Sequence, residues 1–394
     1  MTPEPDPADP NARFRERREQ ARRRRRHHRT VAVSALVVAA ALVALGATVI
    51  GTRTVGSDDT ASRSKSKKQE KREPARPRPM PAEVRGVHVT MALASIPGKL
   101  NEYLRIQGLN TIELDIKDEN GEVGFPMPNG TLARTIGAAR SYYRARSTLA
   151  KAHGAGVYVI GRLVVFEDPV LTEKRPDLAI QSSGGGIWRN NAGLGWANPY
   201  DQRVWDYNLE IAQAAAKAGF DEIQFDYVRF PSDGPIESAV FPGQAKEAQS
   251  WTIARFVHYA STRLKPLGVR VSVDVFGLSA TRELGVGQKP GRLARYVDAV
   301  YPMVYPSHYN PGEFNIPDPS SSPGQTVALS LRDFRNALVG RKAVLIPWLE
   351  DFSLTQGRRP PEEVEEQIQS ARRLHARGFL LWNPEGVYTE EVLK

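Results

Sequence analysis

The sequence of 394 residues contains no cysteine. Disulfide bridges, thiolate metal ligands and a cysteine nucleophile are therefore excluded. Histidine is scarce, with 7 residues, and no His-Glu-x-x-His pair occurs, which argues against a histidine-rich zinc site. The absence of a Gly-x-Ser-x-Gly turn argues against a serine hydrolase. We expect no cofactor and no bound metal, and a site made of carboxylates alone is the one metal alternative left open.

Net charge is the next feature, and it is unevenly distributed. Of 54 Lys and Arg and 44 Asp and Glu, 19 basic and 9 acidic residues lie in residues 1–80, which leaves 35 of each sign in the rest. An excess of basic residues suggests that a protein binds nucleic acid. Because the part of the chain expected to fold is neutral, we expect no nucleic-acid partner.

The N-terminal region has the pattern of a membrane anchor. The basic stretch RRRRRHHR at 22–29 precedes 23 uncharged residues rich in Val, Ala and Leu. About 20 apolar residues span a bilayer as a helix, and a positive flank favours the cytoplasmic side. We predict a cytoplasmic tail (1–29), a single transmembrane anchor (30–52), a disordered linker (53–82) and an extracytoplasmic domain (83–394). Secretion after cleavage of a signal peptide is the alternative.

From residue 84 onward, short β-branched or aromatic runs alternate with amphipathic segments. This alternation predicts parallel strands joined by helices. Eight strands in about 300 residues favour the α/β class with a closed (β/α)8 TIM barrel, whereas a doubly wound sheet would carry a glycine-rich turn after its first strand. The predicted strands are 85–90, 111–117, 157–166, 222–230, 270–277, 298–307, 343–351 and 378–386.

Polar residues occur near the C-terminal ends of these predicted strands, where such barrels place their chemistry. They include Asp115, Arg162, Asp226, Arg229, Asp274, Tyr305, His308 and Glu350. Several carboxylates at one mouth suit glycosidic bond cleavage, in which one carboxylic acid protonates the leaving oxygen and a second carboxylate attacks the sugar or activates water.

We assign Asp226 as the ionised carboxylate because Arg229 is close in sequence, with Arg162 as another possible source of positive charge. Asp274 and Glu350 are both candidates for the proton donor. Flat aromatic rings at a polar mouth suit the apolar faces of sugars. We therefore predict a substrate-binding set made of Asp115, Arg162, Trp196, Arg229, Tyr305, His308, Trp348 and Trp382.

The segments RGVHVT, LNTIELDIKDENGEV, FDEIQFDYVRFPSDG, DVFGL and VDAVYPMVYPSHY together resemble the glycoside hydrolase family known as domain of unknown function 4015. The resemblance covers nearly all of residues 84–386. It implies a (β/α)8 barrel distantly similar to α-amylases, often exported or membrane-tethered, with a catalytic acid at Asp226. α-Amylases carry Glu on the fifth strand and Asp on the seventh, whereas this chain has Asp274 and Glu350 there, so the resemblance does not assign the proton donor.

The sequence thus predicts a membrane-anchored glycoside hydrolase that cleaves an extracellular or cell-wall polysaccharide. A barrel that binds glycan without cutting it is the first alternative. A carboxylate-metal polysaccharide deacetylase is the second. The polysaccharide and the membrane are the expected partners, and no protein partner is inferred.

Overall fold

A computed structural model describes residues 77–244, 247–353 and 358–394. The predicted tail, transmembrane anchor and most of the predicted linker lie outside these residues. In the part of the chain that the structure describes, no helix is long and apolar enough to cross a membrane.

Eight parallel strands close into a barrel, as the sequence predicts. Each strand pairs with the next, and the last returns to the first through Val84 and Gly378, so the sheet has no open edge. The strands are β1 (Val84–Val89), β2 (Thr111–Lys117), β3 (Tyr158–Val164), β4 (Glu222–Asp226), β5 (Arg270–Phe276), β6 (Ala299–Met303), β7 (Val344–Leu345 and Trp348–Glu350) and β8 (Gly378–Trp382).

Several predicted strands are longer than the observed ones, the sixth and eighth among them, and in two strands the backbone shows why the prediction differs. The fourth was predicted to continue to residue 230, but β4 ends at Asp226 because Tyr227 has φ 52°, a left-handed conformation that cannot continue a strand. The prediction that Arg229 lies inside the strand is therefore wrong, and Arg229 belongs to the following loop. The seventh strand is interrupted at Ile346 and Pro347, where proline has no N–H for the ladder.

Helices cover the outside of the barrel. The helix after Asp201 has a cap at each end: the Asp201 carboxylate accepts from the Arg203 N–H at 2.8 Å, and the helix ends at Gly219 with φ 114°. In chain order the helices are α1 (Met91–Ser95), α2 (Lys99–Leu104), α3 (Leu132–Thr135), α4 (Ala145–Gly154), α5 (Pro169–Lys174), α6 (Gln202–Ala218), α7 (Gln249–Leu264), α8 (Pro290–Leu293), α9 (Pro323–Ala337) and α10 (Pro361–Arg373).

Two apolar layers hold this architecture together. The larger core lies between the strands and the helices and is made mainly of Val, Ile, Leu and Phe. A smaller cluster fills the barrel itself and includes Tyr158, Ile160, Tyr301, Trp348 and Leu380. Because alternate residues of a strand point to opposite faces, every second strand residue points inward, and the polar ones among them define the candidate site.

Candidate active site

Inward-facing polar residues form rows on β2 and β4, the two strands that flank β3. Glu113 and Asp115 alternate on β2, and Glu222, Gln224 and Asp226 alternate on β4; all five are buried. The first member of each row lies deeper in the barrel and the last lies at its C-terminal end. The strand direction therefore brings carboxylates from different strands to one end of the barrel, here called the mouth.

Arg162 on β3 joins two of these rows. Its Nε and NH2 atoms donate to Asp226 Oδ2 at 3.0 and 2.7 Å, and its NH1 atom donates to Asp115 Oδ1 at 2.9 Å. The Tyr227 N–H donates to the other Asp226 oxygen at 2.7 Å. Hydrogen bonds from a guanidinium and a backbone amide favour the ionised carboxylate. Arg162, rather than Arg229, thus supplies the ion pair to Asp226.

Asp274 on β5 has a different environment. The register pairs Phe225 with Val273, so Asp226 and Asp274 occupy the next position on neighbouring strands. Burial raises the pKa of Asp274 well above its usual range, and the charges of Asp226 and Glu113 act in the same direction. Asp274 Oδ1 accepts from Gln224 Nε2 and Trp348 Nε1, both at 2.8 Å. Burial thus favours the protonated form of Asp274.

Glu350, the other candidate donor, is fully buried at the end of β7. Its Oε1 accepts from Arg359 at 2.7 Å and its Oε2 accepts from the Ser307 N–H at 2.9 Å. Gln367 bonds the Glu350 backbone on both sides, at 3.0 Å to its N–H and 2.9 Å to its carbonyl. These contacts tie β7 to α10 and to the loop after β6, and the structure does not bring Glu350 into the Arg162 network.

Arg229 lies in an aromatic cage. Its guanidinium is 4.9 Å from the ring centres of Trp196 and Tyr227 and 4.7 Å from that of Phe276. It also donates to the Phe230 carbonyl at 3.1 Å. Trp196 is fully buried, as is nearly all of Arg229, so both residues form the wall behind the mouth rather than a surface that a sugar could contact.

Aromatic residues cluster at the ends of β6, β7 and β8. Tyr305 contacts His308 with ring centres 5.3 Å apart and Trp382 at 5.2 Å, and Phe352 packs on Trp382 at 5.0 Å. Trp382 is partly exposed, whereas the other three are buried. Burial raises the pKa of Tyr305 well above its usual range, and the charges of Asp274 and Asp226 add to the effect.

Trp348, predicted as a sugar platform, is almost completely buried. Its indole N–H donates to Asp274, and its ring makes an edge contact with the His88 ring, with ring centres 6.4 Å apart. This tryptophan therefore orients a carboxyl group, and Trp382 is the tryptophan of the predicted set that the structure leaves accessible.

Sequence reasoning missed four polar residues of the network. Glu113 bonds the His88 ring, whose other nitrogen lies 3.8 Å from Asp115 Oδ1, and Glu119 lies 3.5 Å from Arg162 NH1. The period-2 alternation in TIELDIK and EIQFD would have identified Glu113 and Gln224, because each stands two residues before a predicted site residue. Glu119 had no such signal, because it follows the strand in a turn.

The mouth offers carboxylates without a metal-binding arrangement. Throughout residues 77–244, 247–353 and 358–394, no group of three or more His, Asp or Glu side chains is arranged to hold a metal ion. At the mouth, Asp226 with its guanidinium partner and Asp274, whose pKa is raised by burial, stand side by side on adjacent strands.

A closed (β/α)8 barrel with such a carboxyl pair at its mouth has the architecture of a glycoside hydrolase. The family described as "Putative glycosyl hydrolase domain" matches residues 86–388. The chain belongs to this family, as the resemblance in its sequence indicates. A search of curated proteins found no match.

Two solved structures with TM-scores above 0.5 give the same fold, and a third is similar in sequence over part of the chain. The PgaB (BpsB) glycoside hydrolase domain from Bordetella bronchiseptica is 18% identical, with TM-score 0.55 over 77% of this chain and 94% of that one. α-L-Fucosidase isoenzyme 2 from Paenibacillus thiaminolyticus is 15% identical, with TM-score 0.51 over 79% and 48%. A hypothetical protein from Ruminiclostridium thermocellum is 40% identical, with TM-score 0.44 over 48% and 97%.

Proposed function

We propose that this protein cleaves O-glycosidic bonds of an extracytoplasmic polysaccharide through a pair of carboxyl groups, Asp226 and Asp274. The observation that carries the proposal is the contrast between the two groups. Asp226 is ion-paired with Arg162 at 2.7 Å, whereas burial and the charge of Asp226 raise the pKa of Asp274 well above its usual range. Pairs of acids whose surroundings separate their pKa values divide the roles of acid and base between them.

In the proposed reaction, Asp274 gives its proton to the glycosidic oxygen as the bond to the anomeric carbon breaks. Asp226 stabilises the positive charge that develops on the sugar ring. It then either forms a bond to the anomeric carbon, which water later hydrolyses, or removes a proton from a water that attacks that carbon. The anomeric form of the first product distinguishes these two courses.

Substrate positioning falls to the aromatic and polar residues around the pair. Trp382 offers a partly exposed ring to a sugar, and Tyr305 packs against both Trp382 and His308. Asp115 and Glu119 are within reach of sugar hydroxyls at the Arg162 side of the mouth. The large loop that contains Trp196 encloses this side by closing over Arg229.

The cellular setting is the second part of the proposal. The uncharged segment 30–52 with its basic flank would anchor the chain in the cell membrane with the barrel outside the cytoplasm. Wall or extracellular polysaccharide would then be the substrate within reach of a linker of about 30 residues. Signal cleavage and secretion would leave the same substrate class.

The test measures new reducing ends released by the full chain, purified in detergent, from a panel of wall and extracellular polysaccharides. We expect Asp226→Asn to lose at least about 10³-fold in kcat, because its charge stabilises the transition state. Asp274→Asn should lose about 10²- to 10⁴-fold on polysaccharide, but much less on aryl glycosides whose leaving group needs no proton. Asp206→Asn, on the exposed face of α6, is the matched control and should keep full activity.

Equal losses for Asp274→Asn on both substrate types would contradict its role as proton donor. Full activity of the Asp226→Asn variant would reject the mechanism itself. Binding of glycan by all variants, with no cleavage by any, would favour the non-catalytic glycan-binding barrel.

A further inference from the structure

A second cavity lies at the end of the barrel opposite the mouth. Its volume is about 440 Å³. Arg270 is the first residue of β5, Val344 is the first of β7, and Arg377 directly precedes β8, so the cavity opens at the N-terminal ends of the strands. Met80, just before β1, also lines it. We call this cavity the basal pocket.

The basal pocket is strongly cationic. Its lining has one carboxylate, Asp298, and six cationic side chains, Lys265, Arg270, Arg295, Arg341, Lys342 and Arg377. Lys265 pairs with Asp298 at 3.2 Å. Beyond residue 80 the chain has as many acidic as basic residues, so this excess does not follow from composition. A concentration of like charge in one concave site costs stability unless an anion binds there.

The cations of the pocket are oriented but not neutralised. Arg341 Nε donates to the Gly291 carbonyl at 2.9 Å, and Arg377 Nε donates to the Pro81 carbonyl at 3.1 Å. Among the described residues, no carboxylate lies within ion-pair distance of the five cations other than Lys265. The Nε atom of Arg270 is buried and has no hydrogen-bond partner. A buried donor without a partner is rare and points to a missing acceptor.

We propose that the basal pocket binds the phosphate groups of an anionic lipid surface. Arginine presents several N–H donors in a planar fork that matches phosphate oxygens, and four of the six cations are arginines. Val339, next to the Gly340 of the lining, is 75% exposed and offers an apolar contact beside the charges. The chain also enters the barrel at Met80, beside the pocket, at the end of the segment that follows the predicted anchor.

This placement has a consequence for the enzyme. The pocket and the carboxylate mouth are at opposite ends of the strands, so docking of the base on lipid would turn the mouth away from the membrane and toward the wall. The basal pocket is a separate site, so lipid binding there does not depend on the catalytic assignment of Asp226 and Asp274.

Hydrogen–deuterium exchange of the full chain in neutral detergent micelles tests the proposal. The readout is protection of the amides of residues 339–342 during titration with inorganic phosphate, with glycerophosphoglycerol, or with mixed micelles of phosphatidylglycerol or phosphatidylcholine. We expect protection by glycerophosphoglycerol and by phosphatidylglycerol but not by phosphatidylcholine. The double variant Arg341→Gln, Lys342→Gln should bind glycerophosphoglycerol and phosphatidylglycerol micelles roughly 25-fold more weakly, which is about fivefold per cation removed.

Lys151→Gln with Lys217→Gln is the matched control, because it removes the same charge from exposed positions on α4 and α6. It should leave the titrations unchanged, which separates a built pocket from general attraction to a basic protein. Protection by the two soluble phosphates alone would support a phosphate pocket and reject lipid as its occupant. No protection by any probe, or equal weakening in the control, would overturn the proposal.

Discussion

Arg162 is the residue on which the arrangement of the mouth depends. Its guanidinium contacts Asp226, Asp115 and Glu119, three carboxylates that come from β4, from β2 and from the turn after β2. Without a cation among them, like charges at this spacing would push protons onto some of the acids. The proposed proton donor lies one strand further, at Asp274, where burial raises the pKa of the carboxyl group.

At the residue scale we predict that Trp348→Phe shifts the pH dependence of catalysis. The indole N–H at 2.8 Å favours the ionised form of Asp274 and so opposes the rise of its pKa. Its loss should raise the pKa of Asp274 further and move the alkaline limb of the kcat/KM profile to higher pH. The measurement is the pH–rate profile of both proteins; a limb that stays in place or moves to lower pH would contradict the role of Asp274 as acid.

At the element scale, one buried ion pair fixes the loop after β3. Lys117, the last residue of β2, lies 2.6 Å from Asp168 and 2.9 Å from Asn208 Oδ1, and neither Lys117 nor Asp168 is exposed. Asp168 also caps α5 by accepting from the Leu171 N–H at 2.8 Å. The pair therefore ties the end of β2, the start of α5 and helix α6 together under the loop that carries Trp196.

We predict that Lys117→Met lowers the free energy of unfolding by about 3–5 kcal/mol, because it leaves the Asp168 charge buried without its partner. Adding Asp168→Asn should recover part of this loss, since the amide removes the charge and its oxygen can still cap α5. Urea unfolding of the wild type and the two variants gives the comparison. A single variant that loses less than about 1 kcal/mol would show that the pair does not hold this loop.

At the scale of the whole molecule, the mouth carries a cluster of carboxylates and the basal pocket carries an excess of cations. Several of the acids are buried with little compensation. Burial and the neighbouring Glu119 raise the pKa of Asp118 to about 7, and burial raises that of Asp351 to about 6. Both groups bind their protons more tightly in the folded protein than in the unfolded chain, where an aspartate titrates near 4.

The sign of the pH dependence follows from this difference. Between about pH 4 and pH 7 the folded state holds more protons than the unfolded one, so we predict that these two groups make stability fall as pH rises through this range and level off above it. Asp118→Asn should flatten this fall in stability, because it removes one of the two titrating groups. The amide oxygen still accepts from the Asn120 and Glu122 N–H groups, so the turn is kept. Urea midpoints at pH 5, 6, 7 and 8 measure it; an unchanged slope in the variant would contradict the prediction.

The sequence by itself determined the barrel. Eight apolar strand runs separated by capped amphipathic helices leave few other topologies, and the residues near the strand ends had to meet at one mouth. The period-2 alternation of the strands would also have identified Glu113 and Gln224 as inward-facing residues. Strand periodicity is a local property, and in a parallel barrel it determines which side chains face the interior and which face the helices.

Only the tertiary structure decided which side chains form ion pairs and hydrogen bonds with one another. Arg229 is three residues from Asp226, yet the left-handed Tyr227 carries it away into an aromatic cage, and Arg162 from the neighbouring strand takes its place. The sequence did not distinguish Glu350 from Asp274, but Glu350 is bound by Arg359, whereas Asp274 is buried and accepts from the neutral donors Gln224 and Trp348. Charge pairing and desolvation depend on distances between segments far apart in the chain, and no local pattern encodes them.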